Sequence, residues 1–240
     1  MPIFSAIRQH QITVIPAKMM IGVWLLTAAG LWATASLTWA TVIYREAFAL
    51  ELHPVAIFGA FLLLIVGGYY LMGALRRFST AAAVVFYLAF IALAGIFSGN
   101  LFTWQGVVVV LGITGAMFAV SACLCWCVDM NPGSVRQIII MIVCGTLIAM
   151  TVNSLLDSCP SRWFYSHVTV VLWAVTAGCE KDTLHGYARK LYADEFYTLP
   201  RCIVLGAMTI SLSVIAFYRR LLMCVMNILS GFWWHWLRQK

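Results

Sequence analysis

Residues 106–128 read GVVVVLGITGAMFAVSACLCWCV, a run without one charged side chain. A helix rises 1.5 Å per residue, so about twenty apolar residues cross the roughly 30 Å hydrocarbon core of a bilayer. This run has that length. It holds no Pro, and its only helix-weakening residues are Gly106, Gly112 and Gly115. It reads as a membrane-spanning helix, and the rest of the chain repeats the pattern.

Working outward, comparable runs occupy residues 19–43, 55–75, 80–97, 138–156 and 164–179, with a shorter one at 202–218. Breaks fall at His53-Pro54, Arg76-Arg77, Ser98-Gly99-Asn100, Asn131-Pro132-Gly133 and Cys159-Pro160, all turn-forming or charged clusters. The composition agrees: 63% of residues are hydrophobic and 10% charged, against about 25% charged in a typical soluble domain. The expected fold is all-α, a polytopic transmembrane bundle of about seven helices. Its parts are a cytoplasmic N-terminal segment at 1–18, a seven-helix domain at 19–220 and an apolar, aromatic tail at 221–240. The first run is too long for a cleaved signal peptide and reads as a retained helix. Tryptophans in the tail, Trp233, Trp234 and Trp236, read as an interfacial anchor.

The net charge of +7 belongs to segment ends, where cations meet anionic headgroups, so nucleic acid is not an expected partner. With the N-terminus inside, inner loops carry Arg8, Lys18, Arg76, Arg77, Arg136, Lys181, Arg189, Lys190 and Arg201. Outer loops carry Arg45 and Arg162. This asymmetry supports a cytoplasmic N-terminus. The short loops and the lack of a soluble domain point to a cell (inner) membrane, the plasma membrane of a prokaryote, with an organelle membrane as the alternative. Arg219 and Arg220 leave the side of the C-terminus open.

No catalytic signature is present: no G-x-S-x-G, H-E-x-x-H, P-loop or G-x-G-x-x-G. Neither an enzyme nor a cofactor is expected. Cys123, Cys125 and Cys127 lack a second cysteine pair to complete a zinc site, so no metal is expected there. Gly112 with Ala116, and Gly115 with Ala119, have the small-residue spacing that lets helices approach closely. The eight acids are Glu46, Glu51, Asp129, Asp157, Glu180, Asp182, Asp194 and Glu195. Glu180 and Asp182, at the inner end of the sixth run, stand nearest a bundle interior. On that run Thr169, Thr176 and Thr183 recur every seven residues, with Trp173 and Glu180 on the same face. On the last run Gly206, Thr209, Ser213 and Ala216 share a face. These two faces are expected to pack together around a polar interior.

Thr151-Val152-Asn153-Ser154-Leu155-Leu156, followed by Ala177-Gly178-Cys179-Glu180-Lys181-Asp182-Thr183, resembles the Bax inhibitor-1 (transmembrane Bax-inhibitor-motif) family. Gly115-Ala116-Met117-Phe118 and Gly22 to Ala28 resemble its fourth and first helices. The resemblance implies a seven-helix bundle with the last helix central, and a cation path, typically a calcium leak, gated by two aspartates. Asp182 matches the first of these; Lys181 and Leu184 depart from the motif around it. Ser213 stands where the second is expected. Two carboxylates sharing a site push one pKa up. With serine at 213 that repulsion is missing, so proton gating is not expected. The path would be lined by Asp182, Thr183, Thr209 and Ser213, with Arg76 or Arg77 paired to Asp182, and Asn153 is a polar helix-packing residue. The alternative is a non-conducting protein that modulates a membrane-bound protease or another membrane complex.

Overall fold

The structure, a computed structural model, describes residues 2–44, 59, 63, 66–67, 79–101, 106–128, 134–193 and 197–214. No strand occurs among them, and seven helices have described bounds: α1 (Pro2–Ile43), α2 (Thr80–Leu101), α3 (Gly106–Val128), α4 (Val135–Leu155), α5 (Pro160–Cys179), α6 (Lys181–Ala193) and α7 (Leu199–Val214). Four segments are long and apolar enough to cross a membrane: Ala17–Ile43, Thr80–Gly99, Gly106–Cys127 and Val135–Leu155. The chain is an all-helical, multi-pass membrane protein. The expected second span, residues 55–75, lies outside the described residues except for Gly59, Leu63, Val66 and Gly67, which are helical. Ala216, Arg219, Arg220 and the 221–240 tail also lie outside them.

Two expected boundaries change. Helix α1 begins at Pro2, not near residue 19, and its apolar part starts at Ala17. Ser98-Gly99-Asn100 is helical rather than a break. Gly99 serves close approach: a Cβ there would lie 2.6 Å from Thr41 Cβ. A helix tolerates a glycine whose missing side chain lets a neighbour in.

Side-chain contacts give the helix directions. Gly95 lies against Leu37, and Gly99 against Thr41. Tyr87 Oη donates to the Leu26 carbonyl at 3.1 Å, so α2 runs parallel to α1. Trp32 Nε1 donates to the Gly112 carbonyl at 3.2 Å, while Gly115 faces Ala28 and Trp32, so α3 is antiparallel to α1. Gly178 meets Ile138, Gly145 meets Val170, and Asn153 meets Ser166, so α4 and α5 are antiparallel. Their turn is short: Asp157 takes a positive φ of 45°, a conformation that aspartate accepts more readily than most residues. Gly22 meets Ile203, and Gly206 meets Val23, so α7 packs against the start of the apolar part of α1. The start of the apolar part of α1, the starts of α2 and α4 and the ends of α3 and α5 therefore share one end of the bundle.

Hydroxyls are satisfied locally, as an apolar solvent demands. Thr27, Thr34, Thr41, Thr114, Ser121, Thr176 and Thr209 each donate to the carbonyl four residues back, at 2.7–2.8 Å. Lipid-facing positions show the inverse pattern of a soluble fold. Val85, Leu88, Trp126, Val143, Leu147 and Phe164 are exposed, while the core holds Met19, Val23, Met117, Phe118, Met141 and Ala174. Helix α7 is the most enclosed element. Every residue from Val204 to Ile210 is buried, and their neighbours come from α1 and α6.

Candidate functional site

At the end shared by the starts of α2 and α4 and of the apolar part of α1, helix α5 stops at Cys179. Glu180 caps it, with its N–H bonded to Thr176 O, and α6 begins at Lys181. Helix α6 is amphipathic. Leu184, Tyr187 and Ala188 are buried, while Asp182, Thr183, Arg189 and Lys190 are exposed. The apolar face packs on α7 in antiparallel order, and the contacts form a seam. Tyr187 O accepts from Cys202 Sγ at 3.8 Å. The Tyr187 and Thr209 hydroxyls meet at 3.4 Å. Leu184 fills the space left by Gly206. One turn further, Ser213 Oγ donates to Glu180 Oε1 at 2.7 Å.

The structure thus brings Thr209 and Ser213 into a polar seam, as the small and polar face of the last run implies, and supplies Glu180 as the acid beside Ser213. Asp182 is turned outward on α6 with Thr183, and no described hydrogen bond joins either to α7. The expected meeting of Asp182 with Ser213 is therefore replaced by the Glu180 contact. The reason is angular: Asp182 follows Glu180 by two positions, about 200° around a helix of 3.6 residues per turn. The threonine stripe ends for a related reason. Thr176 and Trp173 are buried, but the turn at Glu180 separates α5 from α6, and Thr183 falls on the outer face. Arg76 and Arg77 lie outside the described residues, so their pairing does too.

Tyr87 and Tyr187 had no assigned role in the sequence. Tyr187 follows Glu180 by seven positions, the heptad step that keeps one helix face; that spacing was the available signal. Tyr87 sits in a notch over Gly30, and its hydroxyl also meets that of Ser211 on the other side of α7. Hydroxyl contacts thus flank α7 on both sides.

Six described cations gather at the same end: Lys18 at the start of the α1 span, Arg136 on α4, Lys181, Arg189 and Lys190 on α6, and Arg201 on α7. Lys190 Nζ and Arg201 Cζ each lie 5.6 Å from the centre of the Tyr197 ring, within cation–π range. The opposite end holds Arg162, whose Nη1 donates to Ser158 at 3.2 Å.

Asn153 is fully buried at that opposite end. Its Nδ2 donates to Ala149 O and to Ser166 Oγ, both at 2.8 Å. It joins α4 to α5, the helix-packing role its position implies. Cys159 caps α5 beside Pro160 and is exposed. The Ser161 hydroxyl, 3.2 Å away, is the main cause holding its thiol below the ordinary cysteine range. Cys123 and Cys127 are exposed on α3 and Cys125 is buried. No group of three or more metal-ligating side chains occurs among the described residues.

No protein-family profile matches the chain. No solved structure matches it. An Escherichia coli (strain K12) protein described as uncharacterized protein YbhM is 31% identical over 202 residues, spanning 84% of this chain and 85% of that one. Identity at that level over most of both chains is whole-domain kinship, and the protein belongs to the YbhM family.

Proposed function

We propose that this protein is a cation leak of the Bax inhibitor type in a cell membrane, with its N-terminus in the cytoplasm, and that the leak runs along the α6–α7 seam past Glu180. The single observation that carries the reading is the 2.7 Å contact of Ser213 with Glu180. It sets a half-buried carboxylate against the most enclosed helix of the bundle. An acid at membrane depth is costly and is retained where it binds or moves charge. Asp182, exposed on α6, is not part of this path. The conformation is closed, because Val23 and Leu184 fill the space beside Gly206, and opening requires α7 to shift against α1 and α6. Grouping of the described cations at one end supports the cytoplasmic N-terminus.

The test is cation flux into liposomes carrying the purified full chain. Flux above that of protein-free vesicles, lost in Glu180→Gln, is expected. A wild-type rate equal to the protein-free rate overturns the reading.

A second reading keeps one observation of its own. The outward face of α6, with exposed Arg189 and Lys190 beside Asp182 and Thr183, offers a polar surface to another membrane protein. This suits a non-conducting modulator of a membrane protease complex. Co-purification of such a complex with the wild type, abolished by reversing the charges of Arg189 and Lys190, is the outcome that favours it.

A further inference from the structure

We propose that Cys123 and Cys127 on α3 form a two-thiol site for a soft divalent cation of the mercuric type. The site lies apart from the α6–α7 seam and does not depend on the leak reading.

Helix α3 runs unbroken from Gly106 to Val128. Residues four apart on it lie one above the other on one face, with Cβ atoms about 5–6 Å from each other. The cysteines stand at 123, 125, 127, 144, 159, 179, 202 and 224, and only Cys123 and Cys127 are three or four positions apart. Both are exposed, while Cys125, between them in sequence, is buried. The two thiols therefore share one accessible face, and the third is turned into the core. A direct disulfide does not fit the pair. It needs Cβ atoms about 3.5–4.5 Å apart, closer than a regular helix brings residues at this step. What fits is one atom held between the two sulfurs.

Softness and charge then choose the atom. Thiolate sulfur is a soft donor that selects soft metal ions. On binding, both S–H bonds break, both sulfurs bond to the metal and two protons leave to water; no electron changes hands. The thiolates bring two negative charges, and a divalent ion cancels them. The bound unit is neutral, which is what a hydrocarbon surrounding favours. Mercuric ion is linear between two thiolates and is complete with this pair, whereas the zinc tetrahedron takes four ligands. The route in is short. Cys127 closes the apolar stretch of α3, so the pair begins at the edge of the hydrocarbon and reaches one turn into it.

The experiment gives purified full-length protein one equivalent of mercuric chloride, followed by gel filtration in a small excess of 2-mercaptoethanol. The monothiol strips an ion held by a single cysteine and leaves one held by two, because the second sulfur acts at a high effective concentration. The wild type is expected to keep one mercury per chain. Cys123→Ser and Cys127→Ser are each expected to keep about tenfold less, and Cys125→Ser and Cys179→Ser to keep it all. Serine is close to cysteine in size, and monodisperse elution of each variant shows that it is folded. Bound mercury is also expected to shield Cys123 and Cys127, but not Cys179, from N-ethylmaleimide. A wild type that keeps no mercury overturns the inference, as does full retention in Cys123→Ser and Cys127→Ser. Loss in Cys125→Ser or Cys179→Ser places the ion elsewhere and overturns it too.

Discussion

Ser213 on α7 and Glu180 at the α5–α6 junction, 33 residues apart in sequence, are joined by a 2.7 Å hydrogen bond. Three helices meet at that bond, so it fixes where α7 sits along the bundle. A hydrogen bond to a charged group contributes about 1.5–3 kcal/mol when shielded. Glu180 is only half-buried, so solvent screening brings the figure below that range, and Ser213→Ala is expected to cost about 1 kcal/mol. Thermal unfolding in detergent is the check; a Tm equal to the wild type removes the bond from the account.

Gly206 sits where α7 touches both α1 and α6. A methyl group there would lie 2.5 Å from Val23 Cγ2 and 3.0 Å from Leu184 Cδ2, and the β-branched valine has little freedom to yield. Gly206→Ala is expected to destabilise by about 1–3 kcal/mol through overpacking. Gly112→Ala is the contrasting control, since no atom lies within 4 Å of its Cβ position. Equal Tm shifts for the two variants would contradict this packing.

Tyr87 and Gly30 are coupled. The Tyr87 hydroxyl occupies the space a Cβ on Gly30 would take while donating to Leu26 O. Tyr87→Phe alone is expected to cost about 1 kcal/mol, the value of one buried hydrogen bond. Gly30→Ala alone is expected to cost more. In the double variant the losses should sum to less than their total, a coupling a double-mutant cycle resolves at about 0.5 kcal/mol or above. Additive losses would place the hydroxyl elsewhere.

Cys159 is the exposed cap of α5 at the end away from the basic cluster, with its thiol held below the ordinary range chiefly by Ser161. A lowered thiol pKa enlarges the thiolate fraction below the normal cysteine pKa, so alkylation near neutral pH should outpace that of a free thiol. Ser161→Ala should slow it and shift the pH–rate curve upward. A membrane-impermeant maleimide should reach Cys159 from outside intact cells. Labelling only after lysis would invert the orientation.

The spans were legible because lipid imposes a single-residue rule. Residues 106–128 and 80–97 announce themselves by what they lack. Segment ends were less so: α2 continues through Ser98-Gly99-Asn100 because Gly99 answers Thr41 on α1, a contact between distant residues. The polar face of α7 was readable from its periodicity, which placed Thr209 and Ser213 in a seam, but its described partners are α6 and Glu180 and not the threonine face of α5. The identity of the acid was not, since motif resemblance pointed to Asp182 and the turn at Glu180 rotates that residue away.

The sequence by itself determined that this is a multi-pass helical membrane protein, because the free energy of moving a side chain from water to hydrocarbon is a property of each residue and sums along the chain. It also determined how few acids there are to place. Only the tertiary structure decided which of them faces the innermost helix, because that depends on the angle at which α6 leaves α5 and on which glycines let α1, α6 and α7 close together. Those are properties of pairs of segments, and no single segment encodes them.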